Sequence, residues 1–247
     1  KTVGKGKQAL VFVHGWACNL NFWRDQVPAF EKKTRVILID LPGHGQSDKP
    51  QVSYTQDLFA RAVNQVLVDA GVDKAVLVGH SMGTPVIRQF YRKYPEKVLG
   101  LVIVDGALRP YGDKKTMEQF VAPLRGPNYK EAAGGFIDTM LGQQLAPALK
   151  DEIKSSMLST PQHVAISAFD GMIDPEIWKD DKINVPVLAV LAKSPFWPAD
   201  IEQIYRNIAP NLDYHMWDGV SHFLMMEKPR EFSEAMAAFL AKNGFVK

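Results

Sequence analysis

The chain predicts an α/β fold, a mostly parallel sheet flanked by helices, and three observations predict it. Short apolar runs of strand length occur at residues 10–13, 35–39, 75–78, 99–104, 186–191 and 212–217. Most run on without polar alternation, as parallel strands covered on both faces do. Between most of them lie amphipathic helical patterns, and strands alternating with helices imply right-handed crossovers into a parallel sheet.

In chain order, Leu10-Val11-Phe12-Val13 leads into His14-Gly15-Trp16, and the run at 35–39 leads into Asp40-Leu41-Pro42-Gly43-His44-Gly45-Gln46-Ser47. Ser53-Tyr54-Thr55-Gln56 has the form of a capping box. Leu58, Ala62, Val63, Val66, Leu67 and Ala70 follow at helical spacing, and Gly71 is a stop. Ala75-Val76-Leu77-Val78 runs into Gly79-His80-Ser81-Met82-Gly83, and a helix over 82–94 ends before Pro95. Leu101-Val102-Ile103-Val104 ends at Asp105, and a helix over 231–240 closes the chain. From Leu108 to about Asp181 no strand pattern occurs, only short amphipathic stretches broken by prolines and by Gly134-Gly135.

A length of 247 residues fits one domain. With 29 basic and 27 acidic residues the net charge is only +2, and no basic cluster stands out, which argues against nucleic acid or an acidic membrane surface as the main partner. No apolar run approaches the ~18 residues that span a bilayer. The single cysteine, Cys18, excludes an internal disulfide and any CxxC metal site.

Strand, G-x-S-x-G, then helix is the context in which that motif carries a mechanism. A serine on a sharp strand-to-helix turn stands exposed, beside the helix N-terminus and the next backbone N–H, which can receive developing negative charge. The alternative is a glycine turn whose serine merely caps the helix. A base is then needed, and of six histidines His222 sits in the glycine-flanked loop Gly219-Val220-Ser221-His222-Phe223 after the last apolar run. His80, the neighbour of Ser81, reads as a packing residue. His14 and His44 read as supports of their turns, and His163 and His215 as weak candidates. There is no P-loop motif and no H-E-x-x-H, and Gly43-His44-Gly45 lacks the third glycine of a dinucleotide fingerprint, so no cofactor and no metal is implied.

These four motifs together, the HG turn, D-x-P-G-x-G-x-S, G-x-S-x-G and the late G-x-S-H-F, make the chain resemble the α/β-hydrolase fold family over almost its whole length. The resemblance implies an α/β-hydrolase core over 1–107 and 182–247, with 108–181 inserted as a helical cap of about four short helices. The cap's apolar residues, among them Phe120, Phe136, Phe169 and Trp178, are too many to leave exposed. Relatives usually carry a further hairpin strand before residue 10, so the chain, which starts at Lys1, looks trimmed or processed at its N-terminus. Its compartment stays open between cytoplasmic and exported, as does its oligomeric state.

The resemblance also implies roles. Ser81 is the nucleophile, His222 the base, and the backbone N–H groups of Trp16 and Met82 form the oxyanion hole. Relatives usually place the acid just after the strand that follows the cap, where this chain has Ser194. Serine cannot stabilise an imidazolium as a carboxylate does, so Asp105, one strand earlier, is the favoured acid, as in some members of the family. Asp200 is second, Asp218 reads as a loop-shaping residue, and a dyad without an acid stays open. The expected activity is that of a cofactor-independent serine hydrolase, a carboxylesterase acting on small, largely apolar esters through an acyl-enzyme. Lactonase, thioesterase or carbon–carbon bond hydrolase activity, a perhydrolase side activity, and a ligand receptor on the same scaffold are the alternatives. Multiple turnover separates an enzyme from the receptor.

Overall fold

The computed structural model describes residues 1–110 and 112–245. Seven strands form one sheet: β1 (Thr2–Val3), β2 (Gln8–Val13), β3 (Arg35–Ile39), β4 (Lys74–His80), β5 (Val98–Val104), β6 (Val187–Ala192) and β7 (Leu212–Trp217). Their spatial order is β1-β3-β2-β4-β5-β6-β7. All neighbours are parallel except β1, which runs antiparallel to β3 through Thr2↔Ile37 and Val3↔Val36. The six apolar runs are β2 to β7; β1 is an addition, too short to carry a pattern of its own.

Between strands lie α1 (Val27–Phe30), α2 (Gln56–Asp69), α3 (Gly83–Lys93) and α8 (Ile201–Ile208), and after β7 come α9 (Leu224–Glu227) and α10 (Pro229–Lys242). Continuous burial along β2 to β6 matches their unbroken apolar character, since helices and loops cover both faces. Trp23, fully buried, packs its ring 5.1 Å from Phe12 on β2 and 6.3 Å from Phe232 on α10, tying strand to helix.

The start of α2 departs from the capping box at Ser53. Thr55 is the cap, extended at φ −88° and ψ 159°, and its side chain accepts from the Leu58 N–H. The Tyr54 N–H is taken by Ser167 Oγ at 2.8 Å and its hydroxyl donates to the Pro50 carbonyl, which holds residues 53–54 outside the helix. Thr55→Ala should therefore lower unfolding free energy by about 1 kcal/mol in urea titrations, while Ser53→Ala changes it little.

Strand order reverses around β2, because the chain goes from β2 outward to β3 and returns to β4 on the other side. Crevices for ligands form at the carboxyl ends of strands at such a switch point. β2 and β4 end there side by side, with Val13 opposite Gly79. Between β5 and β6 the chain forms α4 (Lys114–Val121), α5 (Tyr129–Met140), α6 (Pro147–Leu158) and α7 (Gln162–Ile173). This insertion lies against the loops at the same strand ends. Trp16 Nε1 donates to the Ala165 carbonyl at 2.7 Å, Thr160 Oγ1 to Ala17 O at 3.1 Å, and Asn19 Nδ2 to Ser156 Oγ at 2.8 Å. Among the described residues, no helix is long and apolar enough to cross a membrane.

Candidate active site

Ser81 follows β4 directly and adopts φ +52°, a left-handed conformation that non-glycine residues rarely take. Such a conformation costs on the order of 1–3 kcal/mol and persists only where the surroundings over-determine it. Here the Ser81 N–H donates to Val104 O at 3.0 Å, and its carbonyl accepts from Thr84 N at 2.9 Å. The turn is also packed backbone to backbone. A Cβ on Gly79 would lie 2.5 Å from the Gly83 carbonyl oxygen, and one on Gly83 would lie 2.5 Å from Val13 O. Two glycines are needed because strand, turn and helix meet with no room for a side chain.

The turn after β2 presses on the same spot. A Cβ on Gly15 would stand 3.1 Å from Ser81 Cβ and 2.9 Å from His80 Nδ1. Ala17 holds φ +56°, and the turn is closed by Cys18 N to Gly15 O at 3.2 Å. Among the described residues, no protein acceptor takes the backbone N–H of Trp16 or of Met82, though both residues are buried. Met82 directly follows Ser81, and Trp16 follows Gly15, which packs against Ser81.

His222 sits half-buried after β7, its Nδ1 2.6 Å from Asp105 Oδ2. Asp105 is itself buried, holds φ +41° at the end of β5, and accepts the Ala192 N–H on Oδ1 at 2.8 Å. One carboxylate oxygen is thus fixed by a backbone donor, leaving the other for the imidazole. The alternatives lie apart: Asp200 is exposed at the start of α8, and Asp218 pairs with Lys193 at 2.7 Å. Ser194, where relatives usually carry the acid, closes its own turn by accepting from Phe196 N at 3.2 Å. Ser81 Oγ makes no hydrogen bond among the described residues. Catalytic contacts of this kind are often long without substrate and tighten when it binds.

Two supports escaped the sequence reading. His80 Nε2 donates to the His222 carbonyl at 2.8 Å, with the rings 4.6 Å apart, so His80 holds the loop as well as filling space. Glu227 Oε1 accepts from both the N–H (2.7 Å) and the hydroxyl of Ser221, anchoring the residue before His222. A carboxylate five residues beyond the histidine carries no signal until α9 folds it back.

Burial keeps three histidines near the site neutral. It lowers His14 to about 4 and His44 to about 3, and pushes His80 well below its ordinary value. His14 then donates from Nδ1 to Gly15 O at 2.8 Å and accepts the Leu41 N–H on Nε2 at 3.1 Å, stapling the two loops that follow β2 and β3. Ser81 opens onto a cavity of about 380 Å³ lined by Met82, Phe169, Met172, Trp178 and Arg109 among others. The ring of Trp16 packs 5.3 Å from Phe136 and 5.8 Å from Phe169, joining the turn after β2 to the insertion.

A family model described as the α/β hydrolase fold matches residues 8–124. A 2-hydroxy-6-oxononadienedioate/2-hydroxy-6-oxononatrienedioate hydrolase of Paraburkholderia phymatum is 28% identical, over 97% of this chain and 89% of its own. An uncharacterized protein of Mycobacterium bovis is 33% identical, over 94% of this chain and 75% of its own. The solved structure of an N-acyl homoserine lactone degrading enzyme superposes with a TM-score of 0.82 at 27% identity, covering 97% of this chain and 95% of that one. With the parallel sheet, its switch point and the serine turn between β4 and α3, these likenesses show that the chain belongs to the α/β-hydrolase fold family.

Proposed function

We propose that the chain is a serine hydrolase that cleaves carboxylic esters of small, largely apolar substrates through an acyl-enzyme. The observation that carries this reading is the 2.6 Å contact between Asp105 and His222 at the strand ends that also bear Ser81. With Nδ1–H donated to Asp105, the imidazole has Nε2 as its basic nitrogen. In the first half-reaction, Ser81 Oγ bonds to the acyl carbon while its proton moves to His222 Nε2. The carbonyl electron pair becomes an oxyanion, received by the Trp16 and Met82 N–H groups; a donor of this kind is worth about 3 kcal/mol of barrier. Collapse breaks the bond to the alkoxide, which leaves with the proton from His222. Water then attacks the acyl carbon, giving its proton to the same nitrogen, and collapse returns Ser81 and releases the acid.

A second reading, carbon–carbon bond hydrolysis, is favoured by the relative from Paraburkholderia phymatum. Its named substrate is a dicarboxylate, which calls for cationic recognition. The charged residues among those lining this cavity are Arg109, Lys114, Asp113 and Asp180, as many acids as bases. That balance suits an uncharged substrate and favours the ester. Lactonase activity remains an alternative to the first reading, and the solved relative is named as an enzyme that degrades N-acyl homoserine lactones.

The test is steady-state hydrolysis of short and medium p-nitrophenyl esters, alongside reaction with a fluorophosphonate and peptide mass mapping. Multiple turnover and one label per chain, on Ser81, are the expected results. Absence of ester turnover, with turnover of a 2-hydroxy-6-oxodienedioate, would replace the first reading by the second. Retention of an unturned ester would make the chain a receptor.

A further inference from the structure

The insertion leaves the core at Leu108 and returns at Asp181, and a single buried side chain holds both ends. Arg88, on α3 two turns beyond Ser81, is only 1% exposed. Its guanidinium donates to the Leu108 carbonyl at 2.7 Å, to the Lys179 carbonyl, and to the Asp181 carbonyl and Oδ1 at 3.3 Å each. Arg92, one turn on, reinforces the returning end with three bonds to the Asp181 carboxylate, at 2.6, 2.9 and 3.1 Å, one to Ile177 O at 2.9 Å and one to Lys179 O at 3.3 Å. Arg109 and Asp180, immediately inside the two ends, pair at 2.9 Å.

We propose that Arg88 is a positioning residue that sets the shape of the substrate cavity by pinning both ends of the insertion to the helix that follows Ser81. Residues next to the pinned carbonyls line the cavity: Ala107 and Arg109 on the outgoing side, Trp178 and Asp180 on the returning side, and Pro85 on the same helix. Arg88 does not itself line it. A rigid fork with several donors can hold carbonyls from two chain segments at once, whereas an ammonium on a flexible stem has no fork to span them. Among the described residues the Arg88 Nε has no hydrogen-bond partner, so the buried guanidinium is held through Nη1 and Nη2 alone, at the two ends of the insertion. The proposal rests on the ester-hydrolase reading of the cavity only for its kinetic arm.

The experiment compares wild type, Arg88→Lys and Asp181→Asn on p-nitrophenyl acetate, too small to fill the cavity, and p-nitrophenyl octanoate, long enough to reach the insertion. Hydrogen–deuterium exchange is measured on the same three proteins without substrate. For Arg88→Lys, KM for octanoate should rise about tenfold with kcat/KM for acetate within about twofold, the signature of lost ground-state binding. Exchange should rise in peptides at 106–110 and 177–183 and not in the sheet, and Asp181→Asn should show the same pattern more weakly. Parallel losses on both esters, or increased exchange throughout the sheet, would reduce Arg88 to a general stabiliser and overturn the proposal. Unchanged octanoate kinetics would overturn it as well. If wild type hydrolyses neither ester, the ester reading fails while exchange still decides the clamp, since a local rise supports it and no rise overturns it.

Discussion

Replacing Asp105 by asparagine is expected to lower kcat for a p-nitrophenyl ester by about 10⁴-fold with little change in fold. The size follows from hydrogen-bond polarity. The Ala192 N–H donates to Asp105 Oδ1 at 2.8 Å, so an asparagine would turn its carbonyl oxygen to that donor. Its amide nitrogen would then face His222 Nδ1, where Oδ2 now stands at 2.6 Å. An N–H donor there requires Nδ1 to accept, which moves the ring proton to Nε2. A histidine protonated at Nε2 cannot take the proton of Ser81. Two losses combine, the wrong tautomer and the missing negative charge beside the developing imidazolium. Ser81→Ala should fall further, by about 10⁵-fold or more, because the nucleophile itself is gone. Asp200→Asn should stay within about twofold, since that side chain is exposed and, among the described residues, pairs with nothing near His222. Kinetics measured with matched circular dichroism check all three. An Asp105→Asn enzyme of near-normal kcat would move the acid elsewhere or leave a serine–histidine dyad.

The fold was legible because a parallel sheet writes its strands as continuous apolar runs, and each run from β2 to β7 became a strand with bounds within two residues. β1 was not legible: Thr2 and Val3 become a strand only because β3 lies beside them. The start of α2 is not legible for a similar reason, since Ser53 and Thr55 are equally good caps locally. The choice between them is made by Ser167, which takes the Tyr54 N–H from far along the chain. At the site, Ser81 and Asp105 directly follow β4 and β5, and His222 lies in a glycine-flanked loop five residues after β7, so strand ends and turn glycines point to them without tertiary knowledge. Glu227, the bond from His80 to the His222 carbonyl, and Arg88 are different in kind. Their roles lie in their partners, and Arg88 on an amphipathic helix looks like any solvated arginine until Leu108 and Lys179 are brought to it.

Lowering the pH from about 7.5 to about 5 is expected to remove on the order of 4 kcal/mol of unfolding free energy through His14 and His44 alone. In the folded chain burial holds His14 at about 4 and His44 at about 3, against 6.5 for each when exposed. As the pH falls through 6.5 the unfolded chain takes up these protons and the folded chain does not, so stability is full above that point and lost below it. The loss continues until the folded values are reached. His80, also buried and held neutral, adds to the loss in the same direction. The window excludes the carboxylates whose values lie below the ordinary 3.8, such as Asp57 and Asp181, because their stabilisation is lost only at lower pH. The chain keeps these neutral rings for geometry: His14 staples the loops after β2 and β3, and His80 holds the carbonyl of His222. Acid lability is therefore built into the same contacts that shape the site. Urea midpoints at the two pH values measure it, given an unchanged slope m. His44→Gln should lose some stability at neutral pH and shed about 2 kcal/mol of the pH-dependent loss. Equal midpoints at both pH values would mean that these rings are hydrated or charged in the folded chain, and the neutral staple at His14 would have to be abandoned.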